Sequence, residues 1–423
     1  MIVRRFLAWI KNAPAEARAE ATGALARAWL YADMDPHEKV EAEQALTVLL
    51  DDPSPWVRQA LAEAFGRAAE APPAIMAALA HDQSDVAAIV LSRSPLFDDA
   101  ALVDHVATGD ALVQTAIAMR PDLPAPVAAA LAEVAEAEAV AALAANGSAL
   151  IPAFSLARMV ERHGDDPTVR DALMARDDLP ADVRVAVVVK ISEAMSGFSA
   201  GRDGADARRE RMSREASERA VLDLAAVAAD EDLPAIVRRL RAGGRLTPAL
   251  LLAAILDGDL RLPSAALAEL TGMNRRRVDA LVTEGRGGGF TALCRKAGLA
   301  ASFVPVLEVA LSARRAVLSH EFPPVGAARR RRIAAQTIKD AARLGLDADG
   351  RAMVLLRRLE AEAAREEARL VTETLLAAHQ AESQAPLLLG PQWRIEPERI
   401  APMPGPAAMI EGSAKTDAEA AAA

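Results

Sequence analysis

One phrase recurs along the first half of the chain and limits what it can fold into. It begins as Asp52-Pro53-Ser54-Pro55-Trp56-Val57-Arg58 and returns as Asp82-Gln83-Ser84-Asp85-Val86 and Asp122-Leu123-Pro124-Ala125-Pro126-Val127. It comes back again as Asp166-Pro167-Thr168-Val169-Arg170 and Asp178-Leu179-Pro180-Ala181-Asp182-Val183-Arg184. An aspartate ends a loop, a proline or serine opens a helix, and a valine starts an apolar stripe. Each copy leads into an alanine- and leucine-rich stretch, which favours helix. The aspartates read as N-caps, whose carboxylates satisfy the free N–H groups of a first helical turn. Helical hairpins recurring within about 40 residues indicate a divergent solenoid.

Composition agrees. Apolar residues make up 52% of the 423 residues but aromatics only 3%, too few strand formers for a large sheet. The fold class expected is all-α: an irregular helical-repeat solenoid, then a second helical domain and a disordered tail. The organisation expected is a repeat domain over 1–195, a linker over 196–206 and a second helical domain over 207–345. A long C-terminal helix then covers 346–385, and an extended or disordered tail 386–423. The linker is marked by Ser196-Gly197-Phe198-Ser199-Ala200-Gly201, small and polar. Within the front domain, Asp35-Pro36 begins a helix with Glu38 in its first turn, a standard start signal. The opening Phe6-Leu7-Ala8-Trp9-Ile10 is closed by Lys11. It is too short for a secretory core and reads as a docked capping helix.

Several phrases taken in order resemble a known group. They are Thr47 to Arg58, His81 to Ala88, Leu91-Ser-Arg-Ser-Pro-Leu-Phe97, Met119-Arg-Pro-Asp-Leu-Pro124, Leu143-Ala-Ala-Asn146 and Leu293-Cys-Arg-Lys-Ala-Gly-Leu299. Together they resemble the bacterial domain-of-unknown-function family 2336 over residues 3–345. That resemblance implies an all-helical, HEAT-like fold and brings no catalytic residue with it.

No catalytic constellation stands out. The six histidines, His37, His81, His105, His163, His320 and His379, are not spaced as a metal pair on one helix. The single cysteine, Cys294, permits no internal disulfide and suits a reducing cytoplasm. It reads as a small core residue despite Arg295 and Lys296 beside it. Gly285-Arg286-Gly287-Gly288-Gly289-Phe290 lacks the lysine and hydroxyl of a phosphate loop and reads as a helix stop and turn. Asp347-Ala348-Asp349-Gly350 has Arg358 where a calcium loop needs its bidentate glutamate. No run of about 18 apolar residues marks a membrane span. No cofactor or metal and no enzymatic activity is expected.

Charge is the remaining signal. The net charge of −10 divides unevenly: −13 over residues 1–195 and +9 over 261–345. Two basic clusters stand in the latter, Arg275-Arg276-Arg277 and Arg329-Arg330-Arg331-Arg332. The first lies in a segment, 264–282, that fits a helix-turn-helix: Ala268 at the crossing, Gly272 at the turn, Val278 and Leu281 buried, and the arginines opening the second helix. Packing asks the same of any helical hairpin. Two functions are therefore open. One is a scaffold or adaptor in the cytoplasm whose seven arginines meet a protein partner; a homo-oligomer is compatible with it. The other is a DNA-binding regulator using 264–282.

Overall fold

The computed structural model describes residues 2–198, 205–346 and 350–384. Over these the fold is all-α, with twenty-two α-helices, one short 3-10 turn (Leu49–Asp51) and no strand. The central linker residues 199–204, the Asp347-Ala348-Asp349 of the segment that fails the calcium-loop pattern, and the tail 386–423 lie outside the described residues.

The front of the chain runs α1 (Ile2–Ile10), α2 (Ala15–Tyr31), α3 (Pro36–Val48), α4 (Pro55–Phe65), α5 (Pro73–Ala80), α6 (Ser84–Leu91), α7 (Asp99–Thr108) and α8 (Ala111–Ala118). It continues through α9 (Ala125–Val134), α10 (Ala137–Ala145), α11 (Ala153–His163), α12 (Pro167–Met174) and α13 (Ala181–Phe198). Then follow α14 (Ala205–Val227), α15 (Leu233–Ala242), α16 (Pro248–Asp257), α17 (Arg261–Thr271), α18 (Arg275–Glu284) and α19 (Gly287–Lys296). The last three are α20 (Val304–Leu318), α21 (Gly326–Arg343) and α22 (Arg351–Gln384). Residues 1–364 form one compact unit, and the rest of α22 begins a second.

Helices α4 to α12 are 8 to 11 residues long. Alone in water such lengths are marginal, because nucleation costs more than so few hydrogen bonds return. They persist by packing, all but α5 in two rows and α5 against α4 and α6. In one, α2, α4, α6, α8, α10 and α12 each lie on the next; in the other, α7, α9, α11, α13, α15 and α17 do the same. The valines of the recurring phrase are the anchors. Val57, Val86, Val127, Val169 and Val183 all lie within the core, none more than 1% exposed. Beside them, Trp29 meets Phe65 edge-on, with ring centroids 5.7 Å apart.

The aspartates of the phrase divide between the capping expected and another job. Asp35 and Asp166 cap α3 and α12 through their side chains, but Asp52, Asp82 and Asp178 accept arginine. Asp52 takes both arms of Arg18, each at 2.8 Å, and Asp82 takes Arg58 at 2.5 Å. Asp178 takes Arg176 at 2.8 Å. Asp122 adopts a left-handed backbone, φ 51°, and so turns the loop instead of capping it. The ladder continues through the loops. Arg120 donates to the carbonyls of Leu91 and Ser94, and Asn146 donates to those of Ala118 and Arg120. Arg176 donates to those of Ala144 and Asn146. Tight stacking of short helices leaves many C-terminal carbonyls with no intrahelical partner, and these side chains satisfy them.

The buried residues fall into two clusters, from Ile10 to Val187 and from Val185 to Leu359. Helix α13 feeds both, giving Val183 and Val187 to the first and Val185 to the second. Ser196, Gly197 and Phe198 of the expected linker are its last turn.

The ladder generates a prediction. Arg176 is 8% exposed, and Arg176→Met removes the donor for two loop carbonyls and for Asp178. Urea unfolding at neutral pH should show a loss of about 2–3 kcal/mol, since hydrogen bonds to charged groups are worth about 1.5–3 kcal/mol. Arg176 holds the Asp178 carboxyl below the usual carboxylate range. The stabilisation from that pair is complete above the unfolded pKa, near 4, and is lost as pH falls through the lower folded value. The gap between the two proteins should therefore narrow in acid, and a gap that widened there would contradict the pairing.

Candidate site around Asp257

The basic stretch is organised by a carboxylate that sequence reasoning passed over. Asp257 is the last residue of α16, where the helix dipole disfavours an anion, followed by Gly258 in the left-handed region, φ 86°. Arg219, from α14, reaches both of its oxygens at 2.9 and 2.8 Å. Arg330, from α21 and only 9% exposed, pairs with it at 2.6 Å. Arg329 donates to its backbone carbonyl at 3.3 Å and to that of Pro324 at 3.1 Å. The paired carboxylates hold the Arg219 guanidinium above its ordinary pKa, although burial acts the other way. Arg314 donates to the Gly258 carbonyl at 2.9 Å, and burial lowers its pKa. Arg261 covers the end of α14, donating to the carbonyls of Ala225, Ala226 and Ala228. Arg219, Asp257, Arg261, Arg329 and Arg330 line a cleft of about 410 Å³.

The seven arginines singled out from sequence divide. Arg275 is drawn inward, with Nε 2.8 Å from Asp279 and Nη2 donating to the Arg261 carbonyl at 2.9 Å. Arg329 and Arg330 bind Asp257. Arg331 lies 3.9 Å from Glu360. Arg276, Arg277, Arg331 and Arg332 are exposed. One link joins the two clusters: Arg275 holds the backbone of Arg261, which lines the cleft together with Arg329 and Arg330.

The hairpin 264–282 is formed by α17 and α18 with Gly272 left-handed between them, φ 66°. Asn274 caps α18 through the Arg276 N–H at 3.0 Å. Val278 is buried as expected; Leu281 is half-buried, and Val282, 1% exposed, fills the deeper position. The glycine run needs a correction. Gly285 ends α18 in the left-handed region, as a stop should, but Gly287, Gly288 and Gly289 open α19 instead of making a turn. Glycine is a poor helix former. Burial of Phe290, Leu293 and Cys294 in the same helix supplies what the backbone lacks.

The first arginine cluster sits where a helix least favours cations, and the second begins at the end of such a turn. α18 opens Arg275-Arg276-Arg277 and α21 opens Gly326-Ala327-Ala328-Arg329-Arg330, and neither has an acidic residue in its first turn. The dipole's positive end is there.

Two histidines distant in sequence meet in the front rows. The His81 and His105 rings lie 4.8 Å apart, and Phe97 stands 6.0 Å from His105. Burial, then the neighbouring His81, lowers the His105 pKa. Among the described residues no group of histidine, cysteine and carboxylate side chains is arranged to hold a metal, and no helix is long and apolar enough to cross a membrane.

Cys294 is fully buried, and its thiol is pushed up to about 12, chiefly by burial and further by Glu308. The thiolate is the reactive species, so the native protein at pH 8 should resist a thiol reagent over a time in which the urea-unfolded chain is fully labelled. Rapid native labelling would contradict the burial.

Comparison with known proteins gives one match. The model of a family described as an uncharacterised protein conserved in bacteria, domain-of-unknown-function family 2336, matches residues 86–347. No curated protein and no solved structure matches the chain.

Proposed function

The chain belongs to that bacterial family, and on this premise we propose that it is a non-catalytic, HEAT-like helical-repeat scaffold that binds an acidic protein partner. The observation that carries the proposal is the placing of Arg275, Arg276 and Arg277 in the first turn of α18, with Arg276 and Arg277 exposed, and of the exposed Arg332 within the arginine run of α21. A cation in the first turn costs the helix stability. A chain that keeps two exposed ones there, Arg276 and Arg277, has a use for concentrated positive potential, which steers and orients an anionic partner. Packed rows of short helices supply the extended faces on which repeat proteins bind. Work in the cytoplasm fits the lone buried cysteine.

The second reading is a DNA-binding regulator. Its support is the α17–α18 hairpin, with exposed arginines on the first turn of the second helix. The −13 balance over residues 1–195 argues against it, since that charge repels a duplex. Salt dependence separates the readings only partly, as both are electrostatic, so the nucleic acid must be removed directly.

The test captures partners from native cytosol with and without nuclease, using wild type and the Arg276→Ala/Arg277→Ala/Arg332→Ala variant. The scaffold reading expects a nuclease-resistant partner that the variant loses while its circular dichroism is unchanged. Nanomolar, sequence-selective DNA binding by the full chain in a gel shift would promote the regulator. A second experiment addresses the cost. Arg276→Glu/Arg277→Glu places anions at the positive end of α18. It should raise stability by about 0.3–1 kcal/mol per site at low ionic strength while abolishing capture. If stability falls, the dipole argument fails.

A further inference from the structure

The cleft beside Asp257 has a chemistry of its own, and the argument for it is independent of the partner surface at Arg276, Arg277 and Arg332. Its charged lining consists of Arg219, Arg261, Arg329 and Arg330 against Asp257 and Asp259, an excess of two positive charges. Arg219 and Arg261 also reach Asp223 and Asp230. Those carboxylates stand outside the lining and are 61% and 71% exposed, so water screens them.

The donors are not all spent. Arg219 and Arg261 direct theirs to carboxylates and to the α14 carbonyls. Arg329 commits Nε and Nη1 to carbonyls, and its Nη2 has no partner among the described residues. At the cleft's edge stands Gly326, where a Cβ would meet nothing within 4 Å. It opens α21, an 18-residue helix without a side-chain cap.

We propose that this cleft binds a phosphate dianion, free or as a phosphomonoester, with Arg329 as its principal ligand. Among the described residues Arg329 is the lining arginine that no carboxylate pairs, which leaves its charge for the dianion. The planar guanidinium fork suits phosphate oxygens better than a point charge would. The open first turn of α21 adds backbone N–H groups that favour an anion. Asp257 keeps Arg219 and Arg330 in place beneath and leaves Arg329 to face the ligand. The volume, about 410 Å³, accommodates the phosphate and part of the group that carries it.

The test uses the full chain with inorganic phosphate, phosphoserine and adenosine monophosphate, each against potassium chloride at equal ionic strength. Calorimetric titration should give saturable binding to wild type, at least tenfold weaker to Arg329→Ala and unchanged to Arg332→Ala, whose side chain lies outside the lining. Tighter binding of phosphoserine than of inorganic phosphate would mark a phosphorylated side chain as the source; tighter binding of the nucleotide would mark a small molecule. Broadening of the phosphate ³¹P line by wild type, reversed by excess pyrophosphate, checks the same site without any variant. No broadening, or equal binding by wild type and Arg329→Ala, would overturn the proposal.

Discussion

Everything in the front half rests on one constraint: the helices are too short to exist alone. A helix of eight residues, such as α6 or α8, forms only a few internal hydrogen bonds after its termini are discounted. It is helical because its apolar stripe is covered by the helices before and after it in the row. This makes the loops as important as the helices, since each short helix leaves as many carbonyls unsatisfied as a long one does. Arg120, Asn146 and Arg176 answer that need by crossing to the neighbouring loop. The stack is thus held twice, by buried valines inside and by side chain-to-carbonyl bonds along the loops.

The two kinds of support were not equally legible in the sequence. The valine follows its loop at a nearly constant distance, so it shows as a repeated phrase, and all five copies lie in the core. The arginine and asparagine contacts join residues about one repeat apart in chain. No local pattern announces them, and Asp52, Asp82 and Asp178 looked like caps because a cap and an arginine acceptor share the same residue type. Gly287 to Gly289 misled for a related reason. Their local preference is for a turn, and the burial of Phe290 and Cys294 that overrides it is a tertiary fact. Asp257 gave a faint signal, an anion at a helix C-terminus, but Arg219, 38 residues before it, could not be paired with it from sequence.

The arginine clusters looked like patches in sequence, and a helix cannot keep them so. Consecutive residues turn by about 100°, so four in a row sweep most of the circumference. Arg330 is therefore buried against Asp257 while Arg331 and Arg332 face outward. Arg275 is likewise taken by Asp279 and by the Arg261 backbone, while Arg276 and Arg277 are exposed. Each run holds one part of the body together and presents the remainder.

That division explains how a basic region can be both structural and available. Arg219 and Arg330 hold the end of α16 through Asp257, whose single charge they share, and the same pairing determines which cations are left over. Had Asp257 been neutral, the buried Arg330 would lose a carboxylate partner 2.6 Å away, a costly change. The carboxylate holds the arginine-rich turn against the body, so that its free charge is presented in a fixed geometry. Fixed geometry is what separates recognition of one anionic group from general attraction to negative surfaces, because a donor already oriented loses little freedom on binding.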